Sequence, residues 1–158
     1  MSVSTPIQGV LVRPLAVHHD DRGYLMEILR DDSPTYTKFG QVYMVGDVVR
    51  GTVRAFHRHK ELVDWFFISH GTAKFVLVDG RNDSPTWMKY QVIVAGDRKP
   101  LCITVPPGVW HGWMALTDDT QLISVASNSH NPEQVDEERV PPSFFNYVNK
   151  SFWEVEFK

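Results

Sequence analysis

The chain has 158 residues, 42% of them apolar and 22% charged, with a formal net charge of −3. That length and balance fit a single folded domain, residues 1–158, with a full hydrophobic core. They exclude a nucleic-acid partner, since no basic stripe is present, and a membrane partner, since no apolar run approaches the roughly 18–20 residues of a span. The opening Met-Ser-Val-Ser-Thr-Pro has no charged and apolar leader pattern. Cys102, the one cysteine, has no partner for an internal disulfide and reads as a small buried hydrophobe. The expected location is cytoplasmic.

Strand signals follow one another along the chain. They cover residues 9–13, 40–46, 50–57, 65–69, 73–79, 88–94, 101–105, 121–127 and 153–157, and are rich in Val, Ile, Phe and Tyr. Turn-forming pieces separate them, among them Asp20-Asp-Arg-Gly23, Asp79-Gly-Arg-Asn-Asp-Ser-Pro85, Ala95-Gly-Asp97 and Thr117-Asp-Asp-Thr120. Helical periodicity is scarce; residues 131–139 could make one short turn, with Pro132 near its start. Many short strands in one domain predict an all-β sandwich or barrel.

The chemistry-bearing residues fall in two segments. Gly51, five residues, His57-Arg-His59, then Asp64 and Gly71 form the first; Pro106-Pro-Gly108-Val-Trp-His111 forms the second. Side chains two apart on a strand share a face, so His57 and His59 project together. Imidazole titrates near neutrality and can take or give a proton. His18, His19, His70 and His130 stand outside any motif. Arg54 lies three residues before His57, so alternation puts it on the opposite face unless a bulge intervenes; a guanidinium there suits a phosphate. Asp64 reads three ways: a metal ligand, an orienter of a histidine, or an exposed strand start.

The two segments resemble the signature segments of a cupin, which implies a jelly-roll barrel. The resemblance then sharpens. Ile7-Gln-Gly-Val10, Asp20-Asp-Arg22-Gly23-Tyr-Leu-Met-Glu27, Phe39-Gly-Gln41, Arg54-Ala-Phe-His57, Val78-Asp79-Gly-Arg81, Ser84-Pro85-Thr86 and Pro106-Pro-Gly108-Val-Trp-His111-Gly112 occur in order over residues 7–155. In this order they resemble the dTDP-4-dehydrorhamnose 3,5-epimerase family of sugar-nucleotide cupins. The resemblance implies a homodimer binding a nucleotide sugar, dTDP-linked, and acting on a 4-keto-6-deoxy sugar in deoxysugar or polysaccharide biosynthesis. It implies that His57 is the general base, that Arg22 and Arg54 hold phosphates, that Glu27 and Gln41 seat the nucleotide and that His111 lines the sugar pocket. No cofactor is expected from it.

The same comparison marks departures. Asp64 stands where the family carries a lysine that steadies an enolate oxygen. Ser124 stands where it carries an acidic tyrosine, and His59 where it carries a glutamine. The family's aspartate partner of the base, from a C-terminal extension, has no counterpart in the sequence up to Lys158. The stretch Phe56-His57-Arg-His59-Lys60, with Gly71, residues 109–111 and residues 122–128, is also similar to the dTDP-sugar 3,4-ketoisomerases, which implies His59 as a second acid/base or a ligand of the sugar oxygen. Two further readings stand beside the epimerase: a metal-dependent cupin with a divalent ion on His57, His59, Asp64 and His111, and a nucleotide-sugar-binding cupin without catalysis.

Overall fold

The computed structural model describes residues 6–155. Twelve strands succeed one another: β1 (Leu11–Pro14), β2 (Val17–Asp20), β3 (Gly23–Met26), β4 (Gln41–Val48), β5 (Val53–Arg58), β6 (Asp64–His70), β7 (Thr72–Asp79), β8 (Tyr90–Gly96), β9 (Leu101–Val105), β10 (Val109–Ala115), β11 (Thr120–Ala126) and β12 (Glu138–Arg139). No helix occurs among the described residues, and none is long and apolar enough to cross a membrane. The strands form two five-stranded antiparallel sheets, ordered β1-β9-β6-β11-β4 and β12-β5-β10-β7-β8, with β2-β3 as a separate hairpin. The fold is all-β, the jelly-roll cupin arrangement.

The core lies between the two sheets. Phe66 and Ile68 of β6, Phe75 and Leu77 of β7, Ile103, Trp113 and Leu122 are buried in one cluster. The alternate residues of the same strands are buried as well, on the outer faces. Val76 and Val78 of β7 join Phe56, Trp110, Phe145 and Phe152 under residues 140–153. Trp65 and Phe67 of β6 join Leu15 and Cys102 under Met26, Leu29 and Tyr36. Strands covered on both faces lose the apolar-polar alternation of a half-exposed strand, which is why residues 65–68 and 75–78 read as continuous apolar runs. Cys102 is buried, as expected, and burial raises its thiol pKa.

Two expectations need correction. The segment from Trp153 is not a strand where it is described: Ser151–Trp153 is a turn, and residues 156–158 lie outside the described residues. Its aromatic density serves packing instead, with Phe145, Phe152 and Trp153 all set around Phe56. The strand expected from Arg50 begins at Val53, because Gly51 takes a left-handed φ of +85° in a turn. Residues 131–139 make a turn closed by the Gln134 N–H donating to the Asn131 carbonyl at 3.2 Å, and then the short β12.

Candidate active site

Between the sheets opens a cavity of about 800 Å³. β5 of one sheet and β4, β6 and β11 of the other supply its walls, and residues 128–139 its rim. β4 contributes Gln41, Tyr43 and Val45, the alternate residues that face inward. β5 contributes both Arg54 and His57.

That pairing of Arg54 with His57 is the work of a bulge. His111 of β10 pairs with His57, and Trp113, two residues on, pairs with Arg54, three residues back. β5 therefore carries one extra residue opposite β10, which turns Arg54 onto the face of His57. Gly112 sits at the same point: a Cβ there would fall 2.2 Å from the Ala55 Cβ. Only a residue without a side chain lets β10 pass so close to the bulge.

The three motif histidines converge. The ring centroids of His57 and His111 lie 4.1 Å apart, and those of His59 lie 5.7 and 5.9 Å from them. His111 is 3% exposed and lies behind His57, not on the cavity wall. Its Nδ1 faces the Val109 carbonyl at 2.9 Å, and His59 Nδ1 faces the Asp136 carbonyl at 2.5 Å. A carbonyl only accepts, so both Nδ1 atoms carry hydrogen and both Nε2 atoms, in a neutral ring, are acceptors. Each Nε2 nevertheless lies 3.4 Å from the same oxygen, Asp64 Oδ2. Asp64 Oδ2 and His111 Nε2 are both buried without a hydrogen-bond partner. Three acceptors facing one another call for a shared proton or a cation. Asp64, 2% exposed, thus lies at the floor of the site and is not an exposed strand start. Its Oδ1 accepts a 3.3 Å hydrogen bond from the buried Ser124 hydroxyl.

The electrostatics favour a neutral His57. Burial, and then the neighbouring His111, His59, Arg139 and Arg54, hold its pKa far below the usual imidazole value. Around the rim, Asp136 accepts hydrogen bonds from the backbone N–H groups of Lys60, Glu61 and Leu62 at 2.7–3.0 Å and so fixes the loop that follows His59. Burial disfavours the Asp136 carboxylate, but these three donors outweigh it and lower the pKa. Glu137 pairs with Arg139, and Glu138 with Arg58. Gln41 Oε1 accepts the His130 N–H at 2.9 Å, and both residues line the cavity.

Arg22 and Glu27 are not brought to this cavity within one chain. Arg22 lies at the tip of the β2-β3 hairpin, its side chain 85% exposed and paired with Asp20; Glu27 pairs with Arg30. Arg81, Ser84 and Thr86, also part of the family-like text, serve scaffolding. They donate to the buried Asp79 carboxylate at 2.6–2.9 Å and tie the turn after β7. Sequence reasoning missed Tyr43, His130, Asp136 and Arg139. Tyr43 carried the one usable signal, inward alternation with Gln41; the others depend on where the chain folds back after β11.

Comparison with known proteins matches residues 4–141 to the model of the dTDP-4-dehydrorhamnose 3,5-epimerase family. The chain belongs to that family of sugar-nucleotide epimerases. Within it, the spore coat polysaccharide biosynthesis protein SpsL of Bacillus subtilis is 38% identical over 136 residues, 85% of this chain and 89% of that one. The probable low-salt glycan biosynthesis epimerase Agl13 of Haloferax volcanii is 36% identical over 137 residues, 85% of this chain and 88% of that one. The crystal structure of a dTDP sugar isomerase from Desulfovibrio desulfuricans G20 superposes with a TM-score of 0.83 at 27% identity, over 98% of this chain and 97% of that one. Epimerases of this family need no cofactor. The ligand atoms of His57, His59 and His111 lie within 4.8 Å of one another, a spacing a divalent ion could use.

Proposed function

We propose that the protein is a cofactor-independent epimerase of a dTDP-linked 4-keto-6-deoxy sugar, acting in polysaccharide biosynthesis in the cytoplasm, as one cupin domain. The single observation that carries the reading is the neutral, half-buried His57 beside Arg54 in a cavity large enough for a nucleotide sugar. The ketone at C4 acidifies the hydrogens at C3 and C5. His57 removes one of them, the C–H electron pair passes into the C4 oxygen as an enolate, and protonation on the opposite face inverts the carbon. Arg54 holds a phosphate and Gln41 helps to seat the nucleotide. His59 faces the cavity with its Nε2 on the shared proton of Asp64 and His111. That proton meets the developing enolate oxygen, a task for which a bare Asp64 carboxylate is unsuited.

Arg22 and Glu27 belong to the same site if a second copy supplies them. The β2-β3 hairpin exposes Tyr24 and Leu25 at 67% and 62%, and the edge strand β4 exposes Val42 and Met44 at 57% and 63%. Apolar side chains on an unpaired edge suit association with another copy, so the active form is a homodimer.

The test is solvent exchange. Protein incubated in D2O with dTDP-4-dehydro-6-deoxyglucose is expected to place deuterium at C3, C5 or both, as read by NMR. Treatment with a chelator, with metal below about a tenth of an equivalent, leaves the rate unchanged. Absence of exchange overturns the reading in favour of a binding cupin, and loss of exchange on chelation turns the histidines into ligands. Product with the ketone moved to C3 would establish ketoisomerisation instead.

A further inference from the structure

Inversion at carbon needs a proton donor on the face of the sugar opposite the base. His57 projects from β5, in one sheet. The opposite wall comes from the other sheet, and among the described side chains that line it only Tyr43 and Asp64 can release a proton. Asp64 lies at the floor against His59 and His111, on the side of the base. Tyr43 stands on β4 with Gln41 and Val45, pointing into the cavity across from His57.

We propose that Tyr43 is the catalytic acid, delivering from β4 the proton that completes inversion. This rests on the epimerase reading above. β4 and β11 are adjacent, and Tyr43 pairs in register with Ser124, so a phenol on β4 reaches the space above a position that on β11 holds only a small hydroxyl. The proton ledger closes without a co-reactant. His57 takes hydrogen from one face; the Tyr43 O–H bond breaks as a new C–H bond forms on the other; the enolate pair becomes that bond and the C4 ketone returns. The phenolate regains a proton from water entering the open cavity, and His57 releases one. An enolate carbon is a stronger base than a phenolate, so the transfer runs downhill.

The surroundings keep Tyr43 in the donating form. Burial raises its pKa, and the Asp64 and Glu137 carboxylates add to this, against the Ser124 hydrogen bond and the Arg54 charge. Arg139 feels the phenol in turn. A neutral phenol facing a neutral imidazole across one cavity is the protonation pattern a two-sided inversion requires.

Tyr43→Phe separates the two half-reactions. His57 can still remove and return a proton on its own face, so exchange of solvent deuterium into dTDP-4-dehydro-6-deoxyglucose persists, while inverted product falls at least about 100-fold. Affinity for dTDP, measured by calorimetry, stays within about threefold and shows that the variant is folded. Inversion at the wild-type rate in Tyr43→Phe overturns the assignment. So does loss of exchange together with inversion while dTDP still binds, since that places Tyr43 before proton removal. If the wild-type protein exchanges nothing, the epimerase reading itself fails and takes this one with it; if it exchanges and only Tyr43→Phe is indifferent, the reading stands and the acid is another group.

Discussion

Two buried carboxylates divide the labour in this molecule. Asp79, fully buried, receives hydrogen bonds from the Arg81 guanidinium, the Ser84 and Thr86 hydroxyls and the Arg81 backbone N–H. Asp64, 2% exposed, has one hydroxyl donor and an oxygen facing two imidazole nitrogens with no hydrogen bond to either. Burial acts against both charges. At Asp79 the donors outweigh it and hold the carboxyl far below its usual pKa. A saturated carboxylate locks a turn; an unsaturated one holds an unmet demand for a proton beside the cavity. The contrast teaches that family-like text marks two kinds of residue. Residues 78–86 tie a knot of hydrogen bonds, whereas His57 and His111 gather with His59 beside the cavity.

That contrast can be broken at either end. The largest effect is expected from His57→Asn, which removes the base: turnover falls by about 1,000-fold while dTDP affinity holds, as read by paired kinetics and calorimetry. An unchanged rate would move the base elsewhere. Arg54→Ala comes next. Loss of a charged hydrogen bond to phosphate weakens dTDP binding about 10- to 100-fold, and calorimetry that finds no change would detach the bulge from ligand binding. Gly112→Ala then tests the bulge itself. The new Cβ would collide with Ala55, at a cost of about 1–3 kcal/mol in chemical denaturation, with activity lost in proportion as Arg54 and His57 shift.

The smallest effect is one of pH on Asp79. Its native pKa is depressed, so the unfolded chain takes up a proton near pH 4 that the native state refuses. The stability this contributes is present above about pH 4 and is lost as pH falls toward the native value. The gap in unfolding free energy between wild type and Asp79→Asn should therefore narrow through the acid range. A gap constant with pH would mean that the carboxylate's charge is not what the knot uses.

Much of the fold was legible from residue types, and the exceptions have physical causes. β7 and β9 could be placed within a residue because their apolar runs are bounded by Gly, Pro and Asp. β10 was absent from the strand signals, because Gly112 and the preceding Pro-Pro-Gly interrupt its apolar pattern, although Val109–Ala115 is a fully buried central strand. β2 and β3 were seen only as the Asp20–Gly23 turn that joins them. The aromatic C-terminal segment imitated a strand because packing on a sheet's outer face and pairing within a sheet demand the same side chains. At the site, the His57 and His59 pair follows from strand alternation, and His111 from its motif. Arg54 does not follow, since its face depends on a register shift between β5 and β10 that no local pattern encodes. Tyr43 needed the pairing of β4 with β11, and Asp64 needed knowledge of burial to set aside the exposed strand start.

The central claim is best tested by measuring, on the same two variants, both unfolding free energy and deuterium exchange into dTDP-4-dehydro-6-deoxyglucose. Asp79→Asn is expected to lose about 3–5 kcal/mol of stability by stranding Arg81, with exchange intact wherever the protein is folded. Asp64→Asn is expected to keep its stability within about 1 kcal/mol, since an Asn side-chain N–H can donate to the Nε2 acceptors that the shared proton joins to Oδ2, and to lose at least about tenfold in exchange rate, since the amide has no proton to share with the enolate oxygen. Asp64→Asn that unfolds while exchanging normally, or Asp79→Asn that stays stable without exchanging, would contradict the account.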